Sequence, residues 1–323
     1  MSFDAERWDG ELHDRSSPAP LLQSWAWGEV QSRAGWGVRR LRFPGGGMAS
    51  VQLRKVGPAR EAYIPRGPVP ATPEALDGLI AWARNESVAR LVVEPEAPEE
   101  LKESLTERGF ARTAPTQPQH TRIIELGPLE TTLSRFDHRT RYNIRLAERR
   151  GVMIEEGADA TELARQSKRV EERTRITLPG REYYALLLAL LPQCRTYVAR
   201  DPDSEAAIAA LLCARHDGRG YNLFAGRSGA RRDLKSNELL HWTAMRRCLD
   251  DGIRDYDLWG VPPPGADPGH PWHGLGQFKA GFDGELVTYA GAWELVLSPS
   301  GANVLALERM ARARIRGLKR NIP

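Results

Sequence analysis

The stretch GLGQFKAGFDGE, residues 274–285, sets Lys279 between two aromatic residues, Phe278 and Phe282, directly after the proline-rich loop VPPPGADPGHPWH. A lysine kept from water is costly unless its charge is used, and a compact ammonium against an aromatic wall suits stabilisation of a developing oxyanion. An exposed lysine on an amphipathic helix is the commoner fate, and spacing alone does not decide between the two.

Arg141, Arg145 and Arg149 recur at four-residue intervals, with Arg139 and Arg150 nearby, which lines guanidinium groups along one helical face. Like charges at that spacing cost about 0.2–0.5 kcal/mol per pair, offset only by Glu148 and Asp137. The face is either simply solvated or held ready for an anionic partner. A second basic cluster, Arg309, Arg312, Arg314, Arg316, Lys319 and Arg320, reads as a solvated helix face, with phosphate contact as the alternative.

Other chemistries lack their residues. His270 and His273 with Asp267 offer no third strong ligand at a standard spacing, so no metal is expected. The GGG at 45–47 is a hairpin turn, since no G-K-[ST] follows it. No G-x-S-x-G elbow is present. Cys194, Cys213 and Cys248 show no C-x-x-C spacing and read as reduced core thiols.

The elements that must position these residues follow from periodicity. With 323 residues, 41% apolar and 27% charged, the chain has the composition of a globular protein long enough for two domains. The charged N-terminus lacks the apolar core of a secretory signal, and the longest apolar run, ALLLALL from Ala185, is too short to span a bilayer. A cytoplasmic location is expected. Alternation around PGGG predicts a hairpin. TPEALDGLIAWARNES predicts a helix with Leu76, Leu79, Ile80 and Ala83 on one face, and RLVVEPE and TRIIEL read as strands. The break at GPLE, residues 127–130, is the expected domain boundary. A helix over Leu129–Arg150, further helices through Glu171 and Tyr184, the strands TYVAR, AAIAALLCARH, YNLFAGRS and DYDLWG, and the helix KSNELLHWTAMRRCLDD repeat the same grammar. The fold class is therefore α+β, with a duplicated arrangement.

Six stretches together resemble the FemABX family of aminoacyl-tRNA-dependent peptidyltransferases: LLQSWAWGEVQSRAGW, PRGPV, RTRYNIRLAERRGV, YNLFAGRS, NELLHWTAMRRCLDDGIRDYDLWGV and GLGQFKAGFDGE, in the family's order. The resemblance implies two acetyltransferase-like (GNAT-like) domains: residues 1–128, completed by 291–323, and residues 129–290. Some members carry a coiled-coil arm in the second domain; here the helices between Asn143 and Leu191 are too short and are broken by TLPG, so the chain resembles the armless type. The implied activity moves glycine, alanine or serine from aminoacyl-tRNA to an amine on the stem peptide of UDP-MurNAc-pentapeptide or a lipid-linked muropeptide. No cofactor is implied. Lys279 matches the family's lysine in its Phe-Lys-x-Gly-Phe motif and would stabilise charge on the ester carbonyl and the departing ribose oxygen. Phe278 would shape the wall, and the loop 262–273 would border the cleft. Trp25, Trp27, Arg66, Arg139, Tyr142 and Asn143 are the implied precursor contacts, with Arg141, Arg145, Phe224 and Phe282 completing the substrate set. At Gln31 many relatives carry a basic residue.

Three rival functions use the same fold class. An acyl-CoA-dependent N-acyltransferase generally carries a [QR]-x-x-G-x-[GA] loop, which GRSGARRDLKSN does not supply. The others are a noncatalytic tRNA- or precursor-binding protein and an aminoacyl-tRNA-dependent transferase acting on a small metabolite.

Overall fold

The computed structural model describes residues 3–174 and 177–320; the side chains of residues 173, 174 and 312–320, and with them most of the second basic cluster, lie outside the described set. The chain divides into two units, Met1–Gln119 with Thr288–Pro323, and His120–Val287.

The first unit runs α1 (Phe3–Arg15), α2 (Trp25–Arg33), β1 (Gly37–Arg42), β2 (Met48–Val56), β3 (Ala59–Pro65), α3 (Pro73–Asn85), β4 (Arg90–Glu94), α4 (Leu101–Glu107) and β5 (Ala111–Arg112). The second runs β6 (His120–Glu125), α5 (Leu129–Arg135), α6 (His138–Arg149), β7 (Met153–Gly157), α7 (Thr161–Thr174), α8 (Arg181–Leu190), β8 (Arg195–Arg200), β9 (Ala207–His216), β10 (Arg219–Arg227), α9 (Ser236–Asp250), β11 (Asp255–Gly260), α10 (His273–Ala280) and β12 (Glu285–Thr288). The chain then returns to the first unit with β13 (Trp293–Val296) and α11 (Pro299–Arg320).

The two sheets have the orders β1-β2-β3-β4-β13-β5 and β12-β6-β11-β10-β9-β8-β7. In each, a parallel neighbour pair is joined by a crossover helix, β3–α3–β4 and β10–α9–β11. The order α2-β1-β2-β3-α3-β4-α4 in one unit thus has its counterpart in α8-β8-β9-β10-α9-β11-α10 of the other, which is the duplication the periodicity implied.

The first hairpin forms as its pattern predicts. Gly45 and Gly46 take φ of +87° and +94°, and a Cβ at Gly47 would lie 2.6 Å from that of Ala75, so the turn packs directly on α3. Thr72 caps α3 by accepting from the Ala75 N–H, and Pro73 opens the helix. The helix buries Leu76, Leu79, Ile80 and Ala83 against Val51, Ile64, Leu91 and Val93. In the second unit β9 lies mid-sheet and is buried along nearly its whole length, which explains its unbroken apolar run.

Two expectations need correction, and one element had not been foreseen. The division does not fall at 128/129, because TRIIEL pairs with β11, Tyr256 opposite Ile124, and so belongs to the second sheet; the first unit resumes at Thr288. The helix read over Leu129–Arg150 is two helices, since Asp137 takes the Thr140 N–H at 2.5 Å and starts α6 afresh. The charged N-terminal segment is a helix, α1, whose Trp8 and Leu12 are buried. Trp8 also donates its indole N–H to the Gln23 carbonyl at 2.9 Å.

The returning strand is fastened by charge. Arg90 on β4 is buried and donates to Glu61 of β3 at 2.7 Å and to Glu294 of β13 at 2.6 Å, with Thr113 at 3.2 Å. Removing one partner of a buried ionic group leaves the others uncompensated. Arg90→Ala is therefore expected to lower stability by about 3–5 kcal/mol in urea denaturation.

Candidate active site

Lys279 lies in the last turn of α10 and is 5% exposed. Its Nζ donates to the Gly260 carbonyl at the end of β11, at 2.8 Å. The ammonium therefore bridges a helix and a strand end, with two of its three donors left for another group. Burial lowers its pKa from 10.5 to about 8, against which the charge of Asp257 pulls upward.

Two irregularities in the sheet shape this place. On β11 the pairing with β6 slips between Asp257 and Gly260, and Trp259 takes φ of +62°. A left-handed tryptophan costs on the order of 1–3 kcal/mol. Asp257, itself buried, holds the bulge by accepting from the Trp259 N–H at 2.6 Å and from the Thr121 hydroxyl. On β10 a second slip falls between Asn222 and Phe224. The parallel pairing of β10 with β11 stops at Tyr221 and Asp257, although both strands continue. The strands therefore part where Asn222 and Gly260 sit. Asn222 donates to the Leu258 carbonyl at 3.4 Å, while its buried Oδ1 has no partner among the described residues.

An aromatic layer backs the lysine. Phe282 is fully buried and packs edge-on against Phe136 at 5.2 Å and Phe278 at 5.3 Å, and Phe136 continues to Trp242 at 5.3 Å. His241 of α9 lies 5.2 Å from the Phe278 ring, with its Nδ1 unpartnered among the described residues. Burial, and secondarily the charge of Lys279, push the imidazole down to about 3, so it is neutral at physiological pH. Lys279 is then the group of this pair that titrates near neutrality.

Gly281 explains the Gly-Phe step. Its φ of −64° suits any residue, but a Cβ there would collide with the Thr140 hydroxyl and lie 3.2 Å from Asp137 Oδ2. Its carbonyl accepts the Asp137 N–H at 2.9 Å. The end of α10 thus seats directly on the start of α6, and the small residue sets the position of Lys279.

Of the other residues singled out in the sequence, Phe278 and Phe282 join Lys279. Arg139, Tyr142 and Arg145 lie on the exposed side of α6, Tyr142 being 50% exposed. Arg141 does not extend their line: its guanidinium turns back to the Ser134 carbonyl at 2.9 Å and to that of Phe136. Asn143 is buried and donates to Glu238 of α9 at 2.8 Å. Phe224 packs on Tyr184 at 5.0 Å. In the first unit, Trp25 carries the Arg40 guanidinium 3.6 Å above its ring and Trp27 is buried. Arg66 is buried, donates to the Pro118 carbonyl at 2.8 Å and stacks on Tyr289 at 4.4 Å. Gln31 is also buried.

Asn222, His241, Asp257 and Gly260 escaped the sequence reading as site residues. Each lies within a quoted stretch, and the usable signal was a polar residue inside an apolar one, as in DYDLWG and ELLHW. Two surface depressions of this unit, of about 520 and 430 Å³, are lined by other residues. No cluster fit to hold a metal ion occurs among the described residues.

A fold with two such units, each built on a β-α-β crossover, is that of a tandem GNAT protein. The acetyltransferase (GNAT) domain family matches residues 134–270. Among solved structures, FemX is similar over 92% of this chain and 97% of its own, at 19% identity and a TM-score of 0.77. The C-terminal domain of a putative lysylphosphatidylglycerol synthetase from Agrobacterium fabrum is similar over 94% and 95%, at 15% identity and a TM-score of 0.57. A tandem GNAT protein from the clavulanic acid biosynthesis pathway is similar over 93% and 98%, at 14% identity and a TM-score of 0.55. No curated protein matches the chain in sequence. The chain has the fold of FemX, and this joins the resemblance in sequence to the FemABX family.

Two outcomes follow from this geometry. The folded-state pKa of Lys279 is depressed, so between pH 8 and 10.5 the unfolded chain binds more protons and stability rises with pH. That rise is expected in urea titrations of the parent protein and absent in Lys279→Met. Gly281→Ala is expected to cost about 1–3 kcal/mol by overpacking α10 against α6, read as a lower urea midpoint.

Proposed function

We propose that the chain transfers an amino acid from aminoacyl-tRNA to an amine of a peptidoglycan-precursor stem peptide. The observation that carries this reading is the ammonium of Lys279, kept from water, tied to the Gly260 carbonyl and placed where β10 and β11 part. The fold shared with FemX and the Phe-Lys-x-Gly-Phe sequence support it.

The acceptor amine arrives as the neutral base and attacks the ester carbonyl carbon that joins the amino acid to the ribose. The carbonyl π pair moves to oxygen, and the free N–H donors of Lys279 meet the negative charge as it forms. Collapse of the tetrahedral species breaks the bond to the ribose oxygen, which takes up the proton released by the attacking nitrogen. The products are an amide and a free ribose hydroxyl. A pKa of about 8 keeps Lys279 mostly charged at neutral pH while leaving it close to exchange with the departing oxygen. One preorganised oxyanion donor is worth about 100- to 1000-fold in kcat.

Arg139 and Arg145, which have no ion-pair partner among the described residues, are the groups open to the anionic parts of a substrate, with Tyr142 between them. Arg141 and Asn143 act at one remove, by fixing the turn before α6 and the seat of α6 on α9. The preference for glycine, alanine or serine belongs to the same reading.

The test incubates the protein with tRNA charged by single amino acids and UDP-MurNAc-pentapeptide, and follows the mass of the precursor with and without ribonuclease. A ribonuclease-sensitive aminoacyl increment is expected, and Lys279→Met should cut it about 100- to 1000-fold while precursor binding survives. An acetyl increment from acetyl-coenzyme A in its place would assign the site to acyl-CoA chemistry. Near-normal turnover by Lys279→Met would remove the lysine from the mechanism.

A further inference from the structure

Ser228 stands just past the end of β10 and is 5% exposed, and its hydroxyl has no hydrogen-bond partner among the described residues. It lines a depression of about 520 Å³ together with Arg169 and Glu172 of α7 and with Gly229, Ala230 and Arg232 of the loop that leads to α9. A buried hydroxyl left without a partner is costly unless something in the depression accepts from it.

The rest of the lining is rich in donors. Arg169 and Arg232 are exposed and have no ion-pair partner among the described residues. The N–H groups of Gly229 and Ala230 donate to no carbonyl there, whereas the Ser228 N–H donates to that of Ile208 at 2.9 Å and fixes the start of the loop. Arg231, with φ of +48°, fixes it again by donating to both carboxylate oxygens of Asp201 at 2.8 Å and to Asp203 at 2.9 Å. Asp233 lies 3.6 Å from the same guanidinium, so the nearby acids are taken by Arg231 and leave the charge of Arg232 open. Glu172, the acid on the lining itself, is exposed and stands one turn from Arg169.

This place is separate from Lys279. Phe224, Gly226 and Ser228 share one face of β10. Phe224 meets Tyr184 of α8 there, and a Cβ at Gly226 would lie 3.0 Å from the backbone of Gln166 in α7. Asn222 is paired with Cys213 and turned to the other face, where Cys213 meets Cys248 of α9 at 3.8 Å. The aromatic layer behind Lys279 belongs to that other face.

We propose that the depression between α7 and the β10–α9 loop binds a phosphate group. A phosphate accepts more hydrogen bonds than a carboxylate and takes paired bonds from a guanidinium, so two arginines, a hydroxyl and two successive N–H groups suit it. The hydroxyl of Ser228 supplies the buried contact, and the exposed arginines admit a phosphate still joined to a larger molecule. The site goes beyond the transferase reading and is measured by binding without turnover, so either can fail without the other.

The experiment is isothermal titration calorimetry of the full chain with inorganic phosphate, with UDP and with the trinucleotide CCA. At least one of these is expected to bind one per chain, and the tightest assigns the phosphate to a free ion, a nucleotide or an RNA backbone. Ser228→Ala should weaken that binding about tenfold, and Arg169→Gln/Arg232→Gln by about 100-fold or more, with the parent's thermal unfolding kept by both chains. Lys279→Met should bind as the parent does. No binding by any of the three, parent-like binding by Ser228→Ala, or loss of binding in Lys279→Met would overturn the proposal.

Discussion

A positive charge taken out of water must find compensation nearby, and the second unit is organised around that requirement at Lys279. The compensation is modest: one carbonyl, that of Gly260, and the longer-range field of Asp257. A full salt bridge would have held the ammonium more firmly and left it less to offer. With a single carbonyl as partner, the group remains charged at neutral pH, keeps two donors open, and titrates near the range in which enzymes move protons.

The backbone supplies this arrangement by departing from regularity in two places. In the first unit the parallel pair β3 and β4 is matched over five residues, Glu61–Pro65 against Arg90–Glu94. Its counterpart, β10 and β11, is matched over three and then opens. The bulge on each strand provides the opening, and the left-handed Trp259 turns β11 so that the Gly260 carbonyl meets α10. Asp257 is spent on holding that bulge through the Trp259 N–H and the Thr121 hydroxyl, which is why it does not pair with the lysine directly. Local strain at one residue is thus offset by a buried carboxylate and exchanged for the placement of a carbonyl.

The aromatic layer fixes the helix that carries the lysine. Trp242, Phe136, Phe282 and Phe278 form a chain of edge contacts from α9 to α10, and His241 completes it as an uncharged ring. Stiff rings leave few alternative packings, and the close seat of Gly281 on α6 removes further freedom. A side chain as flexible as lysine gains its position from such neighbours rather than from its own rotamers.

Much of the scaffold was legible in the sequence because hydrophobic periodicity is a local signal. The PGGG hairpin, the α3 stripe, the apolar run of β9 and the Phe-Lys-x-Gly-Phe stretch could all be read from neighbours in the chain, and that stretch pointed to Lys279. Capping is also local, yet Asp137 sits inside a long helical pattern that masked the break before α6. What periodicity cannot express is which partner a polar side chain meets across the fold. Arg141 and Asn143 share a helix with Arg139 and Arg145, but only the tertiary structure turns the first two inward, to the Ser134 carbonyl and to Glu238. TRIIEL was evident as a strand, while its sheet was decided by pairing with a segment more than a hundred residues later. The identity of the lysine was written in the sequence. Its burial, its lowered pKa and the opening beside it came from contacts between residues far apart in the chain, because desolvation and strand register are properties of neighbours in space.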